Sequence, residues 1–479
     1  MESVWEKSCS FEKREELNES IVADVAVVGG GIAGLLTAYE LQKEGLKVVV
    51  LEAKNICSGN TENTTAKITS QHDLIYDYLI KEFGVEKASQ YARANEEAIK
   101  RYKDIITKNA IDCDFEEIPT YIYSIEDKEA IEREVAAARQ LGISADLVEA
   151  IELPFEVAAA VKFNNQGQFN PLKFLKFISR DLMIYENSKA VEIKKNLVKT
   201  EYGEVIAKDI VIATHYPIIN TPGYYFMRMH QERSYVIALE NAQQLKGAYK
   251  GSDKFQYSFR SYKDLLLLGG AGHRTGEADT SEGYNELRSL AKKLYPKGRE
   301  KYHWSAQDCM SMDKVPYIGQ YSVDTPNTYV ITGFEKWGMT TAMVAAQIIT
   351  DTICGRKNKN KEIFSPRRFD VTASMKTLAE DGVASAKGLI KSMLHIPTEQ
   401  LKDINRNQGA IVDYEGEKVG VYKDSEGKCH IVSVKCPHLG CELQWNNHDL
   451  SWDCPCHGSR FDYKGSWIES PAIVGVSYE

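Results

Sequence analysis

The first clear pattern in the chain is an apolar, β-branched run at 24–28, followed directly by glycines and then by a helical repeat. Leu35, Leu36, Ala38, Tyr39 and Leu41 give that helix an apolar face until Gly45 ends it, and 47–51 is a second apolar strand that closes on Glu52. The pattern predicts a βαβ unit. Residues 74–108 and 128–141 then read as helices, with strand patterns at 121–124, 234–239 and 255–260, so the middle of the chain is a mixed α and β insert. Residues 329–332 form another strand, ending in a glycine turn and a helix start. Beyond the charged break at 355–361, Val371, Met375, Leu378, Ala386, Leu389, Ile390, Met393 and Leu394 recur at nearly helical spacing. They predict a linker helix within 371–400. From about Leu401 the pattern becomes short strands, 410–413, 418–423 and 429–434, with Asp424 to Gly427 as a hairpin turn. The expected organisation is an α/β region over 1–370, the linker, and a small all-β domain over 401–479.

The turn inside the βαβ unit is G-x-G-x-x-G, and each glycine has a physical role. Gly29 makes the tight turn, Gly31 lets backbone approach a pyrophosphate, and Gly34 allows helix to pack on strand; Glu52 is placed to bind a ribose hydroxyl. With strand, helix, strand and terminal acid in register, this predicts dinucleotide binding. Two further segments favour FAD over NAD. The loop carrying Ser58, Thr64 and Thr65 is rich in hydroxyls suited to phosphates and the edge of a flavin ring. Far downstream, the turn at Gly333, Trp337, Gly338, Met339 and Thr340 aims a second helix N-terminus at the cofactor, which suits the negative charge of a reduced flavin. Gly269, Gly270 and Gly272 are not followed by a helix and a ribose acid, so a separate NADH-binding domain is not expected.

Near the end of the chain, Cys436-Pro-His438-Leu-Gly-Cys441 and Cys454-Pro-Cys456-His457-Gly-Ser459 offer paired thiolates and imidazoles. Two sulfurs and two nitrogens are the ligand set of a Rieske 2Fe-2S centre. A structural zinc site takes the same donors. Zinc, however, does not account for the extra cysteine in each loop, for Gly458-Ser459, or for the later Ser470-Pro471 that could close over a cluster.

Composition narrows the setting. The 479 residues carry a net charge of -9, with 43% apolar and 27% charged residues, which leaves no basic footprint for nucleic acid. No run approaches eighteen apolar residues and the first twenty are charged throughout, so neither a membrane span nor a signal peptide is expected, and the location implied is cytoplasmic. Half of the ten cysteines fall between Cys429 and Cys456, which marks them as site chemistry.

Residues 20–370 resemble the FAD-dependent oxidoreductases of the D-amino-acid oxidase and glycine oxidase type. The resemblance rests on the βαβ unit, Phe169-Asn-Pro171, Val191, the strand end at Ala213 and Thr214, 265–270, 315–319 and the 333–341 turn, in that order. It implies a Rossmann-like FAD domain with an inserted α+β substrate domain, whose antiparallel sheet covers the flavin, with Val191 near the adenine and Ala213 and Thr214 near the cofactor. The C-terminal segment resembles the Rieske family. That implies Cys436 and Cys454 on the inner iron, His438 and His457 on the outer iron, and a Cys441 to Cys456 disulfide. Ser459 matches the hydroxyl donor of high-potential members, but Phe461 stands where they have a tyrosine, so a potential below theirs is expected, within a span of roughly -150 to +300 mV.

Together these imply electron flow from a small substrate to FAD, to the cluster and to an acceptor the sequence does not identify. Loops rich in Gly and Pro place His438 and His457 near the surface as the expected electron exit. Glycine oxidase-like enzymes hold the substrate carboxylate with an arginine at a position where this chain has Gln307 and Asp308, which favours an amine or other cationic substrate over an ordinary amino acid. A carboxylate would need Arg228, Arg233, Arg260 or Arg274. Cys309 is a conceivable covalent flavin attachment but reads better as a plain thiol, and none of His215, His230, His273 and His303 stands out as catalytic. The competing function is a redox carrier or sensor whose flavin and cluster serve a protein partner. A Rieske oxygenase would need a further His-His-carboxylate iron site, and the sequence suggests none.

Overall fold

The structure, a computed structural model, describes residues 2–277, 282–368 and 401–478. The predicted linker helix over 371–400 therefore lies outside the described residues.

Burial along β1 (Ser20–Val28) alternates in its first half and is continuous over its second. That is the signature of a strand running from a half-covered edge into the centre of a parallel sheet. The next elements, α1 (Ile32–Lys43) and β2 (Val48–Leu51), complete a βαβ unit in which β2 is wholly buried and pairs parallel to β1. The sheet runs in the order Tyr317–Gln320, Thr328–Thr332, Glu204–Ile212, β1, β2, Met183–Tyr185, with the hairpin of Glu192–Lys194 and Leu197–Lys199 on its flank. Its four central pairings are parallel, and only Tyr317–Gln320 pairs antiparallel in the main row. Two of the fingerprint glycines are set by this packing. A Cβ on Gly34 would lie 1.9 Å from the Gly29 carbonyl oxygen, and one on Gly29, at φ +113°, would lie 2.4 Å from the Ala213 carbonyl oxygen.

The insert is built on a nine-stranded, mostly antiparallel sheet. At one edge Arg299–Ser311 pairs with Met229–Glu240 over their whole length, and Met229–Glu240 pairs in turn with Leu265–Arg274. The glycines at 269–272 lie inside that strand. The helix Ile75–Lys108 covers the other part of the insert and breaks direction at Gly84, whose φ is +79°.

The C-terminal domain consists of a three-stranded sheet (Gln408–Tyr414, Glu417–Lys423, Cys429–Ser433) and a four-stranded sheet (Gln444–Asn446, Ser451–Asp453, Arg460–Asp462, Trp467–Glu469). Its core is Val432, Leu443, Trp452 and Phe461, all fully buried. It packs against one face of the Met229–Glu240 and Arg299–Ser311 pair, whose other face, with Ala306 and Asp308, looks into a cavity that Arg233 and Ser305 also border from the Rieske side. Among the described residues no helix is long and apolar enough to cross a membrane.

Candidate active site and cluster centre

The two cysteine loops close in the same way. The amide of Cys436 donates to the Cys441 carbonyl and that of Gly440 to Cys436; the amide of Cys454 donates to the Ser459 carbonyl and that of Gly458 to Cys454. Gly440 and Gly458 both adopt positive φ, 82° and 78°. Matching turns bring matching residues together. The sulfurs of Cys441, Cys454 and Cys456 lie within 4.8 Å of one another, and Cys441 and Cys456 are joined as a disulfide. Cys436 and Cys454 keep their thiols, each 1% exposed.

The imidazoles of His438 and His457 lie 5.0 Å apart, and the Nδ1 atom of each is buried without a hydrogen-bond partner. Nε2 of His438 lies 2.7 Å from the Asn220 Oδ1 acceptor, so it holds the proton and leaves Nδ1 as a lone-pair donor. Two buried thiols and two unsatisfied ring nitrogens suit a 2Fe-2S centre. Ser459 Oγ accepts from the Ala472 amide, 3.0 Å away, which leaves its own proton for a sulfur.

His457 faces inward, contrary to the exposed exit expected of it, whereas His438 is only half-buried. The Gln231 amide nitrogen donates to the His457 carbonyl at 2.6 Å and to Ser470 at 3.1 Å. Gln307 donates to the Gly458 carbonyl and to the Gln231 oxygen, both at 2.8 Å, and accepts from Thr275. Phe226 presents its ring edge-on to both imidazoles. The Gly- and Pro-rich loops do lie on the surface of their own domain, but that surface is docked.

On the far side of the sheet is a cavity of about 650 Å³. Gly29, Gly31, Glu52, Ser58, Thr64 and Thr65 line one part of it; Ala213, Thr214, Gly333, Trp337, Gly338 and Met339 line another. The Glu52 carboxylate accepts from the amides of Gly30 (2.7 Å) and Lys54 (2.8 Å), and burial raises its pKa. Three predicted positions do not line the cavity. Gly34 packs against β1, Thr340 ties its helix to Thr69 through two hydrogen bonds, and Val191 is 51% exposed with its amide bonded to Lys199, so that Lys189 and Ala190 take its place at the wall.

The chain from 24 to 352 matches the family model for FAD dependent oxidoreductases, and 395–478 matches the Rieske [2Fe-2S] domain. It belongs to the FAD-dependent oxidoreductase family. This oxidoreductase is 37% identical to the Bacillus subtilis protein YhfW, described as a Rieske 2Fe-2S iron-sulfur protein, over 98% of this chain and 96% of that one. It is 25% identical to the γ-glutamylputrescine oxidoreductase of Escherichia coli, over 75% of this chain and 88% of that one. Among solved structures, glycine oxidase from Geobacillus kaustophilus shares the fold at a TM-score of 0.62 and 17% identity, covering 73% of this chain and all of that one. FAD and a 2Fe-2S cluster are accordingly its cofactors, and the glycine cradle, Glu52 and the Cys/His set are the residues fitted to hold them.

Strand alternation separates the two residues read at the substrate-arginine position. Gln307 turns to the Rieske loops, whereas Asp308 lines the flavin cavity, where burial raises its carboxyl pKa and the Lys336 ammonium opposes that shift. Cys309 lies on the Gln307 side, its sulfur 3.7 Å from the Gln231 oxygen and away from the cavity lining. Of the arginines named for a carboxylate, Arg228 is bonded to the Gly223 and Pro366 carbonyls and Arg233 pairs with Asp449 of the Rieske domain. Arg260 is buried beside Trp5, with Nε and Nη2 unpartnered.

The sequence reading did not single out Lys67. Its ammonium lines the cavity, 5.4 Å from the Trp337 ring centre, and its side chain has no hydrogen-bond or ion-pair partner among the described residues. Burial lowers its pKa to about 7, with the nearby Lys250 and Arg260 cations adding to the shift. The usable signal was a lysine two residues after the Thr64-Thr65 pair in a cofactor loop.

Proposed function

We propose that this enzyme oxidises a small amine that also carries a carboxylate, and that its electrons leave through the enzyme's own Rieske domain. The observation behind the substrate reading is the pair of unlike charges lining the same cavity, Asp308 for an ammonium and Lys67, without an ion-pair partner among the described residues, for a carboxylate. The relative from E. coli is named for a substrate of that kind. When bound, FAD accepts two electrons with a hydride and releases them singly, which matches a cluster that takes one. The protein's own part is positioning. Asp308 and Lys67 orient the substrate, while the Gln231–Gln307 pair fixes the histidine loops on the opposite face of the same two strands.

His457 is thereby an entry point, and the partly exposed His438 edge is the proposed way out. Leu439 beside it, and Tyr224 and Met227 flanking the Phe226 that meets its ring, are 46%, 49% and 53% exposed and offer apolar surface for an acceptor. Anaerobic mixing with a panel of amines, amino acids and NAD(P)H, while recording flavin bleaching and the cluster's EPR signal, tests the reading. Carboxylate-bearing amines should reduce both centres and simple amines should do so poorly. Reduction only by a protein partner would replace this reading with a redox carrier.

A further inference from the structure

The flavin cavity is not closed by the flavoprotein domain alone. At the end where Glu52 marks the adenosine ribose position, the opposite wall is Trp467, Ile468, Ser470 and Ile473, all from the Rieske domain. Lys54, two residues beyond Glu52, donates from Nζ to the Ile468 carbonyl at 3.0 Å, and Lys189 donates to the Ile473 carbonyl. Both ammoniums lie over the Trp467 ring, 4.8 and 3.9 Å from its centre. Farther in, Arg233 pairs with Asp449, which also accepts from Ser305, and Arg460 joins Asp449 to Asp453 and Glu469. Arg233, Asp449, Arg460 and Glu469 all border the same cavity.

We propose that the Rieske domain completes one end of the FAD-binding site, with the 467–473 segment acting as a fixed cover over the adenosine diphosphate half of the cofactor. Lys54 and Lys189 form no ion pair among the described residues; there, their side chains donate to the two Rieske carbonyls. Burial and the adjacent Lys54 pull Lys189 down to about 8, a cost that an anionic diphosphate nearby relieves. Packing at the interface is close enough to need glycine: a Cβ on Gly276 would lie 2.4 Å from Pro455 Cα, and one on Gly458 would lie 2.7 Å from the Gln231 side chain. A cover seated this closely couples two equilibria. If docking tightens FAD binding, bound FAD tightens docking by the same factor.

The test uses the full-length holoprotein. Release of FAD is followed by its fluorescence, and the cluster's EPR signal reports whether the cluster loops are intact. Trp467→Ala should keep the cluster signal and release FAD faster by roughly tenfold or more, within the usual range of coupling between sites. Unchanged release with the cluster intact overturns the proposal. Should Trp467→Ala lose the cluster, the double variant Lys54→Met/Lys189→Met, made on the flavoprotein side, decides in its place with the same expectation. Hydrogen exchange supplies the reciprocal measurement: stripping FAD from the wild type should raise exchange across 467–473. Variants that lose FAD while exchange in that segment is indifferent to FAD would mean that the residues act on the cofactor without a cover, which also overturns the proposal.

Discussion

The two cofactor sites of this molecule are built in opposite ways. The cluster site comes from one short stretch, Cys436 to Ser459, folded into two matching turns and locked by one disulfide. The flavin cavity is assembled from both domains, from Gly29 near the start to Ile473 near the end. A local site needs only its own loops to form, whereas a dispersed one depends on every interface that brings its walls together. The substitutions below separate those dependencies.

The largest expected effect is His457→Ala, which should abolish the cluster's EPR signal. FAD content should stay unchanged, because the contacts over the cavity run through 467–473 and not through the cluster loops; this is read by flavin absorbance on the purified protein. Asp449→Ala attacks the interface instead. It leaves Arg233 buried without its main partner, and losing one member of a buried pair costs about 3–5 kcal/mol. A matching fall in the denaturation midpoint should therefore accompany weaker FAD retention. Gly34→Ala acts on the flavoprotein side alone: a Cβ 1.9 Å from the Gly29 oxygen forces helix from strand, costing about 1–3 kcal/mol, and FAD binding should fall while the cluster signal persists.

Lys67 gives a prediction in pH. Its folded pKa lies near 7, below the ordinary lysine value, so it is cationic below that pH and neutral above. The kcat/KM for a carboxylate-bearing amine should fall as pH rises through about 7 and then level off. The same amine without its carboxylate should lack that fall, and Lys67→Met should erase the difference between the two. The smallest effect expected is that of Ser459→Ala, which removes one hydroxyl donor beside the cluster. At about 1 kcal/mol for a hydrogen bond, the potential should drop by roughly 40 mV in a redox titration.

The same contrast decides what the sequence disclosed. Gly29, Gly31 and Glu52 were legible because the βαβ unit that positions them is contiguous, and the Cys/His loops were legible because ligand chemistry dictates their spacing. Val191 does not reach the cavity because 188–191 is an irregular segment before the strand at 192–194: Lys189 and Ala190 form the wall, and Val191 is 51% exposed. The outward role expected of the histidines failed for His457 because a loop's composition shows that it is surface, not what that surface meets. Trp467 gave no signal at all. Its partners Lys54 and Lys189 are hundreds of residues earlier, and only the docked fold brings them together.

The central claim is that flavin and cluster work as one relay within a single chain. Anaerobic rapid mixing of the holoprotein with a reducing substrate, repeated over a wide range of protein concentrations, tests it most directly. The cluster's EPR signal should appear as the flavin reoxidises, at a rate independent of protein concentration. A cluster that stays oxidised, or one whose reduction rate rises in proportion to protein concentration, would contradict it.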